Sequence, residues 1–279
     1  MTSWQSGDII ANGIQLHYTR TGGGHAPIVL AHGVTDDGLC WTPVAEALAS
    51  EYDMVMVDAR GHGRSAAPEN GYDPVTLAQD LHGIIQALEL GRPVVWGHSM
   101  GAATTLVMAG LYPEAPHVIV LEDPPAWWND TGHRMPDALE RAKEVRAWIS
   151  RLKSKTREEI MAEGHTQNPR WSEAELAPWA DAKLYVSLNV INHIFTPDNQ
   201  ASVDWPAILQ RITCPALVVT ADLAKGAILS QEGVAALQAQ VPQLQVAHVP
   251  DAGHCIRRDQ LSRYLEVVRA FLSNVAAPA

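Results

Sequence analysis

Gly97-His98-Ser99-Met100-Gly101 sets a serine between two glycines, each two residues away, after the apolar run Val94-Val95-Trp96 and before the small residues Ala102 and Ala103. That order reads as a strand, a sharp turn and a helix start. A serine on such a turn is held in a strained backbone conformation with its hydroxyl above the sheet. Only glycines at the flanking positions let strand and helix pass so closely. The helix amino terminus beyond it aims backbone donors at developing negative charge. The chemistry this suits is nucleophilic attack on a carbonyl; stripped of its context, the same pattern is a helix start capped by Ser99.

A serine hydroxyl needs a base within hydrogen-bond reach. Of twelve histidines, His254 in Asp251-Ala252-Gly253-His254 falls between the last expected strand and the last helix. That is the carboxyl edge of the sheet, where catalytic groups of open α/β folds collect. His98 is expected to point away from the nucleophile, and His248 sits inside a strand, so both read as packing residues. The acid that orients the imidazole has two candidates. Asp222 follows a strand over 216–220 but stands early in its loop. Asp123 is brought to the site by geometry: the helix after Ser99 descends about 17 Å at 1.5 Å per residue, and the next strand climbs back about 18 Å at 3.3 Å per residue. Asp123 is the expected acid and Asp222 the alternative. Glu122 should point to the other side of the sheet, as a structural carboxylate. The oxyanion formed on attack needs two donors: the Met100 amide and the Val34 amide, the latter turned into place by Gly33 in His32-Gly33-Val34.

These groups require a scaffold, and the chain supplies alternating short apolar runs and amphipathic stretches, the pattern of a mostly parallel sheet with crossover helices. Strands are expected over 7–11 and 14–19, joined by a tight turn at Asn12-Gly13, then over 28–31, 54–57, 94–96, 118–121, 216–220 and 244–249. Helices are expected over 42–50, 74–90, 100–111, 231–240 and 260–272. Residues 126–205 hold no convincing strand but show helical periodicity around 138–153, 157–163 and 172–191. The division is therefore a core over 1–125, a helical insertion over 126–205 and a second part of the core over 206–279.

Composition closes off other classes. A chain of 279 residues is long enough for one large domain or two small ones. A formal net charge of -11, with 20 Lys and Arg against 31 Asp and Glu, repels nucleic acid and anionic membrane surfaces at long range. No apolar run approaches the roughly 18 to 20 residues of a membrane span, and the first residues lack a signal-peptide pattern. Three cysteines without a C-x-x-C pair fit a reducing compartment. A cytoplasmic chain is the expectation, and a homo-oligomer is compatible with it. The histidines show no metal-ligand spacing, so neither metal nor cofactor is expected.

Four motifs in order, His32-Gly33, Asp58-Ala59-Arg60-Gly61-His62-Gly63-Arg64-Ser65, the turn around Ser99 and Asp251-Ala252-Gly253-His254, carry a resemblance to the α/β-hydrolase superfamily over nearly the whole chain. The resemblance implies an eight-stranded, mostly parallel sheet with a helical cap inserted after strand six, and a loop over 58–65 that organises structure. Ala224 stands where the superfamily's usual acid follows strand seven. That departure resembles the subset whose acid follows strand six, which includes lactone hydrolases that open the zearalenone macrocycle and the amide hydrolase of pyridoxine degradation.

The function expected is a serine hydrolase of a small-molecule carboxylic ester or lactone: Ser99 attacks, His254 transfers the proton, Asp123 holds His254, and the Val34 and Met100 amides take the oxyanion. Alternatives are hydrolysis of a carbon-carbon or amide bond by the same residues, or a low-turnover binding protein on this fold. Serine at position 99 argues against haloalkane dehalogenase or epoxide hydrolase chemistry, which resembles attack by a carboxylate. Nine Trp against two Phe is unusual, and six of the nine fall in or at the borders of the insertion. Trp127 and Trp128, just past Asp123, are expected with Gly33 to line the pocket, which would suit an apolar or aromatic substrate.

Overall fold

Eight short strands hydrogen-bond into one sheet in the order β1-β2-β4-β3-β5-β6-β7-β8. They are β1 (Gln5–Ala11), β2 (Ile14–Arg20), β3 (Pro27–Ala31), β4 (Asp53–Val57), β5 (Val94–His98), β6 (Val118–Glu122), β7 (Ala216–Thr220) and β8 (Leu244–His248). The computed structural model describes residues 4–129, 138–196, 199 and 203–275. Pairing is antiparallel for β1 with β2 and for β2 with β4, and parallel for every other pair. Asn12 and Gly13 both take positive φ, 47° and 78°, and close the β1–β2 hairpin as expected.

All residues of β4, β5, β6 and β7 are buried, because helices cover both faces. Alternation along each strand divides them between two cores. Val29, Val95, Ile119 and Val218 pack on one face with Leu81, Ile84 and Leu106. Ile28, Trp96, Val120 and Val219 pack on the other with Trp41, Tyr264 and Phe271. The first face is covered by α2 (Pro74–Ala87) and α3 (Met100–Leu111), the second by α1 (Thr42–Leu48) and, at the end of the chain, by α11 (Leu261–Asn274).

Between β6 and β7 lie α4 (Ala138–Leu152), α5 (Arg157–Gln167), α6 (Glu173–Tyr185), α7 (Leu188–Ile194) and α8 (Trp205–Leu209), with no strand among the described residues. The remaining helices are α9 (Gln231–Gln240) and α10 (Ile256–Asp259). The single helix expected over 172–191 is in fact two. The Ser187 amide donates to the Gly61 carbonyl at 2.7 Å instead of to its own helix, and the Ser187 hydroxyl caps the Asn189 amide of α7. A tertiary bond thus ends α6 where periodicity alone continues it. The helical segment joins the core through Met100, Tyr72 and Leu77, which pack with Ile149, Val190 and Ile191. Among the described residues, no helix is long and apolar enough to cross a membrane.

Candidate active site

β5 delivers Ser99 to the carboxyl edge of the sheet, and α3 leaves from it at once. Ser99 takes φ 54° and ψ −116°, a conformation that side-chain-bearing residues rarely adopt. A Cβ on Gly97 would stand 2.3 Å from the Gly101 carbonyl oxygen, and one on Gly101 would stand 2.2 Å from that of Ala31. Both glycines are therefore demanded by space, as expected for a turn this tight.

One strand over, Asp123 follows β6, fully buried and with φ 41°. Its amide is held by the Val219 carbonyl of β7 at 3.0 Å. Its carboxylate accepts from the Ile228 and Leu229 amides at 2.9 and 3.0 Å. Strain of this kind persists where surrounding bonds over-determine the conformation. The loop after β8 brings His254 between the two side chains, with Nδ1 2.7 Å from Asp123 Oδ2 and Nε2 2.9 Å from Ser99 Oγ. A carboxylate only accepts, so Nδ1 carries the proton and the Nε2 lone pair faces the serine hydroxyl.

The competing acid lies elsewhere. Asp222 accepts from His248 Nε2 at 3.0 Å and from the Asp251 amide at 2.8 Å. His248 itself is not a packing residue: its side chain is half exposed, because β8 is the edge strand and leaves this position uncovered. Glu122 is a buried structural carboxylate, accepting from the Arg257 amide and guanidinium at 3.0 Å each and from the Tyr264 hydroxyl at 3.1 Å. His98 does pack away from Ser99 Oγ, but it also works: its Nε2–H donates to the His254 carbonyl at 3.0 Å. Burial first, then the Arg257 and His254 charges, push its pKa well below the ordinary histidine value, so it is neutral.

The loop after β3 supplies Val34. Gly33 is needed there for room, since a Cβ would meet His98 Nδ1 at 2.9 Å, and not for a positive φ, which it does not have. Both nitrogens of the buried His32 ring hold the backbone: Nδ1 lies 2.8 Å from the Gly33 carbonyl and Nε2 accepts from the Ala59 amide at 3.0 Å. Burial, reinforced by the His62 charge, lowers its pKa to about 3, which keeps the ring neutral. Farther along, Lys183 of α6 donates to the Thr35 carbonyl at 2.6 Å and to Asp36 at 3.1 Å. Asp36 also receives Arg257 and Arg258 at 3.3 and 3.1 Å. Burial opposes its ionisation, yet the Arg258, Lys183 and Arg257 charges outweigh burial and hold its carboxyl well below the usual range.

Above these groups is a cavity of about 300 Å³ whose lining includes Gly33, Val34, Ser99, Met100 and His254. Trp127 is among the lining residues. Trp128 is not: its Nε1–H donates to the Gly233 carbonyl at 2.9 Å and its ring packs against Trp205. The other aromatic walls are Trp148, Trp179 and Phe195, joined by Ile194, Val145 and Arg141. Sequence reasoning placed Trp148 and Trp179 in the helical segment without assigning them to the pocket. The signal was there: Arg141, Val145 and Trp148 recur at helical spacing and share one face of α4. Asp58 and Ser65 organise the loop they sit in, through the Gly38 and Arg64 amides on Asp58 and the Ser65 hydroxyl on the Asp58 carbonyl.

Comparison with known proteins agrees with this fold. The sequence profile of a family described as alpha/beta hydrolase fold matches residues 26–257. N-formylmaleamate deformylase of Pseudomonas putida is 29% identical over 276 residues, 96% of this chain and 96% of that protein. The human serine hydrolase BPHL is 29% identical over 228 residues, 78% of this chain and 70% of that one. Among solved structures, an N-formylmaleamic acid deformylase of Pseudomonas putida superposes with a TM-score of 0.79 at 24% identity, covering 95% of this chain and all of the other.

Proposed function

The chain belongs to the α/β-hydrolase fold family, and from that premise we propose that it is a serine hydrolase that cleaves a small apolar carboxylic ester or lactone through an acyl-enzyme. The observation that carries the reading is the continuous chain of hydrogen bonds from Asp123 through His254 to Ser99 Oγ at the floor of the cavity.

In the proposed reaction, Ser99 Oγ attacks the substrate carbonyl carbon while His254 Nε2 takes its proton. Negative charge moves to the carbonyl oxygen, where the Val34 and Met100 amides face it; Met100 is the first residue of α3, where amides have no intrahelical acceptor. The imidazolium is stabilised by Asp123 and returns the proton to the leaving oxygen as the carbon-oxygen bond breaks. Water then attacks the acyl-enzyme, with His254 taking a proton again, and the acid and free serine are released.

A second reading is cleavage of an amide-type bond, in which the same proton from His254 goes to a leaving nitrogen. It is favoured by the deformylase that aligns over 96% of both chains. Steady-state hydrolysis of a set of esters, lactones and amides sharing one acyl group tests both. Higher kcat/KM for the carbon-oxygen bonds is expected, and preference for the amides would move the assignment to the second reading. Ser99→Ala should lower kcat by about 10³-fold or more with the fold intact. Retention of substantial turnover would remove the serine mechanism altogether.

A further inference from the structure

The charged groups around the cavity are almost all neutralised. Asp36 and Arg258 pair with each other at 3.1 Å, and His254 faces Asp123. Arg141 differs: it lines the cavity wall, and among the described residues no carboxylate pairs with it. The other arginines of the same helical segment show how easily a partner is found. Arg151 is bonded to Glu163, Arg157 to Asp181 and Arg146 to Asn192. Among the described residues, Arg141 thus stands at the cavity wall, exposed and without an acid, while the other guanidinium of the lining, Arg258, is paired.

We propose that Arg141 binds a carboxylate carried by the substrate, which makes the substrate class small acyl compounds with an apolar body and a free carboxylate remote from the scissile carbonyl. The proposal rests on the acyl-hydrolase reading above. The guanidinium offers parallel N–H donors in a plane, which match the two oxygens of a carboxylate. Arg141 itself is exposed at the wall, which leaves its guanidinium free to meet an incoming anion, and Val145 and Trp148 line the cavity beside it. Among the described residues, the other guanidinium lining the cavity, Arg258, is already paired with Asp36 and Glu175, so Arg141 is left to balance one negative charge, which a carboxylate suits better than a phosphate dianion. The overall charge of -11 disfavours anions at long range, and selection of an anion must therefore come from a local contact of this kind.

The test uses the mono-4-nitrophenyl ester of glutaric acid, its methyl-capped neutral counterpart and an analogue ending in phosphate. The wild-type protein should favour the carboxylate ester over the neutral one by about tenfold to a hundredfold in kcat/KM, expressed in KM. Arg141→Gln should bring that ratio close to one, Arg141→Lys should recover part of it, and the phosphate analogue should gain nothing. A wild-type ratio near one, or a ratio that survives Arg141→Gln, overturns the proposal, and a preference for phosphate overturns its choice of anion. Calorimetric binding of the carboxylate ester to Ser99→Ala protein, with and without Arg141→Gln, answers the question without turnover. Absence of turnover in the wild-type protein, or its persistence in Ser99→Ala, counts against the serine mechanism alone.

Discussion

Asp123 has to serve two masters, two backbone amides and an imidazole, and its left-handed backbone lets one carboxylate reach all three. An asparagine there has one oxygen where three donors converge: with that oxygen on the Leu229 amide, its NH2 would face both the Ile228 amide and His254 Nδ1 and force the ring to present a hydrogen, rather than a lone pair, to Ser99. A wrong tautomer of this kind costs about 10⁴ in kcat. Asp123→Asn should therefore lose about 10³- to 10⁴-fold in kcat while Asp222→Asn, whose partners are His248 and Asp251, stays within about twofold. Steady-state kinetics on one ester decides it; the reverse order would hand the role of the acid to the β7 loop. The placement of Asp123 beside His254 was legible in the sequence because helix and strand rises are fixed lengths, so the end of β6 had to come back level with Ser99. Which way Asp222 would turn was not legible, since it depends on His248 across the neighbouring edge strand.

At the scale of elements, local signals read well and tertiary ones did not. The helices over 100–111 and 231–240 and the strand over 216–220 have their expected bounds, because each carries its own apolar pattern and stops at its own turn. The break between α6 and α7 went unread because its cause, the Gly61 carbonyl, lies more than a hundred residues away in sequence. Trp128 was misplaced for the same reason: adjacency to Asp123 could not show that its ring turns back toward Trp205. The tie between α6 and the Val34 loop was equally hidden. Lys183 is fully buried, bonded to the Thr35 carbonyl and Asp36, and stands 4.9 Å from the Trp179 ring centre. Lys183→Met should leave Asp36 paired with two arginines but strip the Thr35 carbonyl of a donor. A loss of about 1–3 kcal/mol in urea unfolding is expected, with kcat falling more than KM rises because the loosened loop carries the Val34 amide. A stability loss without any change in kcat would show that α6 holds the fold and not the oxyanion donor.

For the whole molecule, the excess of acids over bases makes folding itself sensitive to pH, and one buried carboxyl concentrates the effect. Asp37 is buried, and burial, then the Asp58 and Asp36 charges, raise its pKa to about 7. In the unfolded chain it titrates near 3.8, so between these values the folded protein holds a proton that the unfolded chain has released. Stability from this group is therefore fully present below pH 3.8 and is lost as pH rises through about 7. Other carboxylates add repulsion in the same direction, and a substitution separates the two. Asparagine mimics the protonated side chain without having to take up a proton on folding, so Asp37→Asn should exceed the wild-type protein in urea unfolding by only about 1–2 kcal/mol at pH 5. At pH 8 the margin should grow to on the order of 4 kcal/mol, because the wild-type protein must then bury a charge. An equal difference between the two proteins at both pH values would place the raised pKa of Asp37 in error and leave general repulsion as the cause of any decline.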